Sequence, residues 1–258
     1  MNDLLRDAIG LSGRSWLIAA IVFLRVGAAM ALLPGFSQRA VPARVRLGLA
    51  IAFTLIVAPG VAEGILPQEI GLSFALTCLA TETVSGLAIG FVLRLMILAL
   101  EIAGTIAAQS TSLAQMFPGA VEPMPVISHF LVWAGLCLAV ISGLHIRLSE
   151  ILLTSYAVLP VATFPDATLL KNWAVEHADA AFAIAVRLAA PFFVISFLYN
   201  VALGVINRAM PQLMVAFVGA PAITFGALLL LLLAGPSGLA IWWAAFSDLL
   251  TDPFGMQP

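Results

Sequence analysis

Residues 103–125 read AGTIAAQSTSLAQMFPGAVEPMP, the longest run of small, polar and helix-breaking residues in the chain. A long apolar stretch precedes this insert and another follows it. Apolar stretches of that length predict helices, whereas the prolines and glycine near the end of the insert predict a connection. We therefore interpret the insert as the working part and the flanking helices as its support. A plain connection between two helices is the alternative.

The composition places the chain in a membrane. Hydrophobic residues make up 62% and charged residues 9%, and the mean hydropathy is +1.12, whereas soluble domains carry roughly a quarter charged residues. The net charge is −2, and no basic run is present. Binding to nucleic acid is therefore excluded, because it requires a basic surface.

The apolar runs predict an all-α membrane protein of six to seven helices, at residues 16–33, 47–58, 71–102, 126–158, 180–206, 213–234 and 239–250. Pro59 and Gly60 are expected to end the second run. A polar loop is predicted between residues 160 and 179. Gly-Pro-Ser-Gly at residues 235–238 predicts a tight hairpin between the last two runs.

Seven charged residues fall within or beside these apolar runs, namely Arg25, Glu82, Arg94, Arg147, Glu150, Arg187 and Arg208. A charge at the bilayer centre costs roughly 2.5–3.5 kcal/mol on the insertion scale. Three explanations stay open: ion pairs inside the chain, a polar transport pathway, and surfaces that partner subunits cover. Glu82 and Arg94 are too far apart along one helix to touch, so any pairing must involve another helix.

Motifs for chemistry are sparse. Gly86 and Gly90 form a GxxxG step that allows two helix backbones to approach closely. Short GxSG patterns at residues 10–13 and 235–238 resemble intramembrane serine proteases, but no histidine follows Ser237 to act as a base. We expect no enzyme activity, no catalytic residue, no metal and no cofactor.

Several blocks read together resemble the FliR/SctT family of type III protein export gates, which serve bacterial flagella and injectisomes. They are LPGF at residues 33–36 with VPARVRLGLA at 41–50, ETVSGLAIGF at 82–91, AGTIAAQ at 103–109, APFF at 190–193 and NVALGVINRAMPQLM at 200–214. The chain departs from the family pattern inside the insert, at residues 112–113 and 117–119, and at Met214.

The resemblance implies one export-gate membrane domain over residues 1–258 in the bacterial inner membrane, at the flagellar basal body. Residues 1–210 would form a FliP-like part and residues 211–258 a C-terminal hairpin, with the helices arranged as long hairpins in a larger helical assembly. It implies FliP-type and FliQ-type partners, FlhB-type and FlhA-type export components, membrane lipid, and unfolded secreted proteins as substrates.

The resemblance further implies that a loop of this subunit plugs the closed gate. The corresponding residues are Gln109, Ser110, Thr111, Ser112, Leu113, Ala114, Gln115, Met116 and Phe117. Small residues and a flexible methionine have the physical character that such a seal requires. The function expected is a structural and gating subunit for flagellar protein export. An injectisome subunit is one alternative, and a small-solute secondary transporter built from broken helices is another.

Overall fold

The computed structural model describes residues 2–33, 35, 41–62, 71–111, 126–210 and 215–255. These residues form seven α-helices and no strand: α1 (Asn2–Leu32), α2 (Ala43–Val61), α3 (Leu72–Ser110), α4 (Val126–Ile141), α5 (Leu144–Val158), α6 (Ala167–Ala209) and α7 (Val215–Thr251). The prediction of an all-α membrane protein with six to seven helices is confirmed.

Five of the described helices are long and apolar enough to cross a membrane, or six if α4 and α5 together count as one interrupted span. The chain is a multi-pass membrane protein. Helices α3 and α6 have 39 and 43 residues, which corresponds to about 58 and 64 Å at 1.5 Å per residue. Both are much longer than the roughly 30 Å of hydrocarbon.

One compact unit comprises residues 1–94, 143–177 and 248–258. We call it unit 1. It contains α1, α2, α5, the first part of α3 and the beginning of α6. Helix α1 packs on α2, and α2 packs on α5. Trp173 near the start of α6 donates its indole N–H to the Pro253 carbonyl oxygen at 2.8 Å and stacks on Phe254, which attaches the C-terminal turn to this unit.

The other compact unit comprises residues 95–142 and 178–247, and we call it unit 2. It contains the second part of α3, α4 and most of α6 and α7. Trp242 is fully buried, stacks on Phe246 and donates its indole N–H to the Met96 carbonyl oxygen at 2.7 Å. Gly135 of α4 packs against Leu100 and the Trp242 ring because it has no side chain to separate them.

The hairpin predicted at residues 235–238, and with it the C-terminal hairpin at 211–258, is wrong. Helix α7 continues through these residues, with Pro221 and Pro236 inside it. An apolar environment favours a continuous helix because it satisfies the backbone polar groups internally, and a proline then removes only one hydrogen bond. The Ser237 hydroxyl donates to the Ala234 carbonyl oxygen one turn earlier.

Two further boundaries differ from the sequence prediction. Residues 126–158 form two helices rather than one, because the chain breaks at Gly143, whose φ of 87° suits glycine. The polar loop predicted at residues 160–179 is helical from Ala167 onwards. Asp166 caps this helix, accepting hydrogen bonds from the backbone N–H groups of Thr168 and Leu169 at 2.8 and 2.9 Å.

Smaller differences concern helix ends. Helix α1 begins at Asn2, well before residue 16, and α2 includes Pro59 and ends at Val61. Helix α3 continues to Ser110, so the first part of the insert is helical. The division into a FliP-like part and a C-terminal part at residue 210 stays a prediction. Units 1 and 2 group residues by packing and do not test that division.

Candidate functional site

The most polar buried site in unit 1 is an ion pair between α1 and α3. Arg25 Nε donates to Glu82 Oε2 at 2.8 Å, and Arg25 Nη2 donates to Glu82 Oε1 at 3.2 Å. Both side chains are fully buried. A bidentate arginine–carboxylate pair is the geometry that makes such burial tolerable, because each charge neutralises the other and both carboxylate oxygens accept a hydrogen bond.

The remaining faces of the Arg25 guanidinium are also occupied. Its Nη1 donates to Ser155 Oγ at 3.0 Å, and its Nη2 donates to the Leu159 carbonyl oxygen at 2.7 Å. The guanidinium carbon lies 3.8 Å from the centroid of the Tyr156 ring, a cation–π contact. With at least four of its five N–H donors paired, Arg25 is satisfied inside its own chain.

The pair also fixes the connection between α5 and α6. Arg25 donates to the Leu159 carbonyl oxygen at 2.7 Å, and the Ala162 backbone lies near the Glu82 carboxylate. Ala162 has a φ of 59°, which is uncommon for a residue other than glycine. The Arg25–Glu82 pair therefore contacts the connection at two points, with Arg25 at Leu159 and Glu82 near Ala162.

The GxxxG step of α3 packs directly on α1. A Cβ added at Gly86 would overlap the Arg25 carbonyl oxygen and lie 2.8 Å from Ala28 Cβ. A Cβ at Gly90 would lie 3.0 Å from Leu32 Cβ. Only glycine permits this approach, and the approach brings the α1 backbone beside the α3 segment that carries Glu82.

Of the seven charged residues singled out in the sequence, only Arg25 and Glu82 are fully buried in the described chain. Arg147 and Glu150 form an exposed i,i+3 ion pair at 3.0 Å on α5. Arg94 is half-buried, and Arg187 and Arg208 are exposed. Their proposed role in assembly stays a prediction, because it concerns surfaces that other subunits would cover.

Only the start of the expected plug lies within the described residues. Gln109 is exposed, Ser110 is half-buried and Thr111 is buried, whereas residues 112–117 lie outside the described part of the chain. The Thr111 hydroxyl donates to the Ala107 carbonyl oxygen at 2.9 Å. The Ser196 hydroxyl of α6 donates to the Ser110 carbonyl oxygen. Within unit 2, the end of α3 is thereby attached to α6.

The far side of the insert is attached to α3. The Ser128 hydroxyl at the start of α4 donates to the Glu101 carbonyl oxygen at 3.0 Å. A Cβ at Gly104 would overlap Ser128 Cα, so the two backbones touch at this point. Residues 112–125 therefore begin and end beside fixed helix contacts, at Ser110 and at Ser128.

Sequence reasoning missed the serines at these sites. Three serines are almost fully buried, namely Ser128, Ser155 and Ser196. The Ser128 and Ser196 hydroxyls each donate to a backbone carbonyl oxygen on another helix, and the Ser155 hydroxyl accepts a hydrogen bond from Arg25 of α1. A signal was available, since an isolated serine in an apolar helix requires a hydrogen-bond partner. The sequence could not show which partner, because the contacts join residues 27 to 130 positions apart.

Among the residues that the structure describes, no three His, Cys, Asp or Glu side chains are grouped so that they could hold a metal ion. The described arrangement consists of contacts that hold helices together. Its charged groups are paired with one another, whereas the buried hydroxyls of Ser85 and Tyr156 have no hydrogen-bond partner among the described residues. It is suited to positioning a segment of chain.

The sequence profile of the bacterial export proteins, family 1, matches residues 16–249. The chain is also similar to individual proteins. It is 34% identical over 240 residues to the flagellar biosynthetic protein FliR of Caulobacter vibrioides, which covers 92% of this chain and 95% of that protein.

Two other relatives have lower identities to this chain. The FliR protein of Escherichia coli (strain K12) is 30% identical over 203 residues, covering 77% of this chain and 76% of that protein. The FliR protein of Bacillus subtilis is 29% identical over 208 residues, covering 78% and 79%.

Proposed function

The chain belongs to family 1 of the bacterial export proteins, and on that premise we propose that it is a structural and gating subunit of the flagellar type III export gate. It assembles with FliP-type and FliQ-type subunits in the bacterial inner membrane. It works beside FlhB-type and FlhA-type components and lets unfolded flagellar proteins cross. Residues 103–125 supply the plug of the closed gate.

One observation carries the proposal: the family match spans almost the whole chain, and the relatives that cover most of it bear the name of a flagellar biosynthetic protein. This favours a flagellar machine over an injectisome. The family description, bacterial export proteins, also favours a non-enzymatic role and weighs against a small-solute transporter.

The contacts around the insert support the plug. A segment that seals a pore has to be held at both ends while its middle changes position. Ser196 holds the end of α3 at Ser110, and Gly104 with Glu101 holds the start of α4 at Ser128. These contacts lie outside residues 112–116, so the middle of the insert can be changed without removing them.

The plug is tested by deleting residues 112–116, which leaves Ser110, Ser128 and their contacts in place. We expect the variant to accumulate and co-purify with FliP-type and FliQ-type subunits as the wild type does, while resting cells become permeable to ions and small dyes. A matched variant replaces the same residues with Gly and Ser and keeps the length, which separates loss of length from loss of sequence. Unchanged permeability in the deletion variant rejects the plug.

The export function is tested by deleting the gene and restoring it. Secretion of flagellar proteins is expected to stop and to return with the wild-type chain, with no change in solute uptake. Solute transport by the purified chain alone, or normal secretion in its absence, contradicts the proposal.

A further inference from the structure

Between residues 180 and 207, the exposed face of α6 in unit 2 carries one charge in an apolar surface. The buried side of the helix is formed by residues spaced three or four apart: Ala181, Ile184, Ala185, Leu188, Ala189, Phe192 and Ser196. The exposed side carries large apolar side chains, among them Phe182, Val186, Phe193 and Val194, each about half exposed. Arg187 lies between them and is exposed.

Arg187 finds no carboxylate in its own unit among the described residues. The acidic side chains of this part of the chain are Glu101 and Asp179, and neither forms an ion pair with it. Asp179 lies eight residues earlier, about 12 Å along the helix axis. The residues one turn away from Arg187 are Ala183, Ile184, Ala190 and Pro191, none of which can pair with a guanidinium.

Pro191 adds a second polar group at the same position. It lies inside α6, and a proline has no N–H for the carbonyl four residues earlier. That carbonyl belongs to Arg187. The exposed Arg187 side chain therefore carries five N–H donors, and its backbone carbonyl lacks the N–H donor of the next helical turn, within one of the helices apolar enough to span a membrane.

We propose that this α6 face, centred on Arg187, is the docking surface for a membrane helix of another export-gate subunit, and that this helix presents a carboxylate to Arg187. The inference rests on the proposed function. Charge complementarity selects the occupant, because hydrocarbon satisfies neither polar group. A guanidinium within an apolar stretch requires an anion as its partner, and a carboxylate on an adjacent membrane helix supplies one in bidentate geometry. A lipid headgroup is the other source of an anion, and the crosslinking experiment distinguishes the two.

The occupant is identified by photocrosslinking in membranes that contain the complete machine. A photoreactive amino acid at Ala190, exposed and next to Arg187 along the helix surface, is expected to attach to a different membrane subunit, at a segment containing Asp or Glu. Attachment to lipid, or to a second copy of this chain, overturns the proposal.

Charge reversal at Arg187 tests whether the partner helix presents a carboxylate to it. Arg187→Glu is expected to reduce recovery of that subunit with the tagged chain about tenfold or more, because two carboxylates would then be buried together. Replacing the cross-linked Asp or Glu of the partner with Lys should restore recovery. Lys171→Glu is the matched control, because it makes the same charge change at an exposed position of the same helix within unit 1; its recovery should stay within about twofold of wild type.

Different results would contradict the Arg187 docking surface and the proposed function. If wild-type chain co-purifies with export-gate subunits but Arg187→Glu recovers the same amount, the Arg187 surface is wrong and the proposed function stands. If the wild-type chain recovers no export-gate subunit, the proposed function itself fails.

Discussion

Arg25 and Arg187 lie in helices of the same apolar character but are treated in opposite ways. Arg25 of unit 1 is fully buried and bonded to Glu82, Ser155 and Leu159. Arg187 of unit 2 is exposed on an apolar face, with no carboxylate of its own unit within reach among the described residues. Arg25 forms its ion pair inside the chain, whereas Arg187 is available to pair with a different molecule. Two arginines in apolar helices can therefore have different roles, one in folding and one in assembly.

The largest effect is expected from separating the Arg25–Glu82 pair. Arg25→Leu leaves a buried carboxylate without its partner, and Glu82→Leu leaves a buried guanidinium, so each should cost about 3–5 kcal/mol of stability. The double variant, with two apolar side chains, should recover most of that loss. Thermal unfolding of the detergent-solubilised chain measures all three. Equal losses in the single and double variants would show that the pair does not act as a unit.

A smaller effect is expected at the helix contact that positions this pair. In Gly86→Ala the added Cβ meets the Arg25 carbonyl oxygen, so α1 has to move, which should cost about 1–3 kcal/mol. Gly204→Ala is the matched control, because nothing lies within 4 Å of its added Cβ. Alanine is the better helix former, so the control should be neutral or slightly stabilising. Equal stabilities of the two variants would contradict the close approach.

The smallest effect is expected at Arg187 in the isolated chain. Arg187→Leu removes an exposed charge that the described chain does not pair, so the free energy of unfolding of the purified subunit should change by no more than about 0.5 kcal/mol. The same thermal measurement as for Arg25→Leu gives the direct comparison. A loss comparable to that of Arg25→Leu would show that Arg187 is satisfied inside its own chain.

Sequence patterns predicted the helical regions well and their ends less well. The apolar runs located the helices, because hydrophobic length decides membrane insertion. Pro59 and Pro236 were expected to stop helices, yet both lie inside them. In these apolar segments a continuous helix keeps nearly all backbone groups paired, and that outweighs the one hydrogen bond that a proline removes. Asp166 as a helix cap was visible in the sequence and was overlooked.

The candidate site was predictable only in its parts. Glu82 was expected to need a partner on another helix, and the Gly86–Gly90 step was expected to permit close packing. The sequence could not show that the partner is Arg25, that Gly86 packs on the same helix, or that Leu159 and Ala162 complete the site. Each of these contacts joins residues more than 50 positions apart in the chain.

The sequence by itself determined the class of the protein: its hydropathy requires helices in a membrane, and the order of its blocks along the chain resembles one export family. The tertiary structure alone decided which charged side chains are paired inside the chain and which are exposed on its surface. Hydropathy is a local property that adds along the chain, whereas pairing a charge requires two distant helices to meet at hydrogen-bond distance. At Arg25 the glycines of α3 bring such a helix close, and at Arg187 the described helices of unit 2 bring no carboxylate.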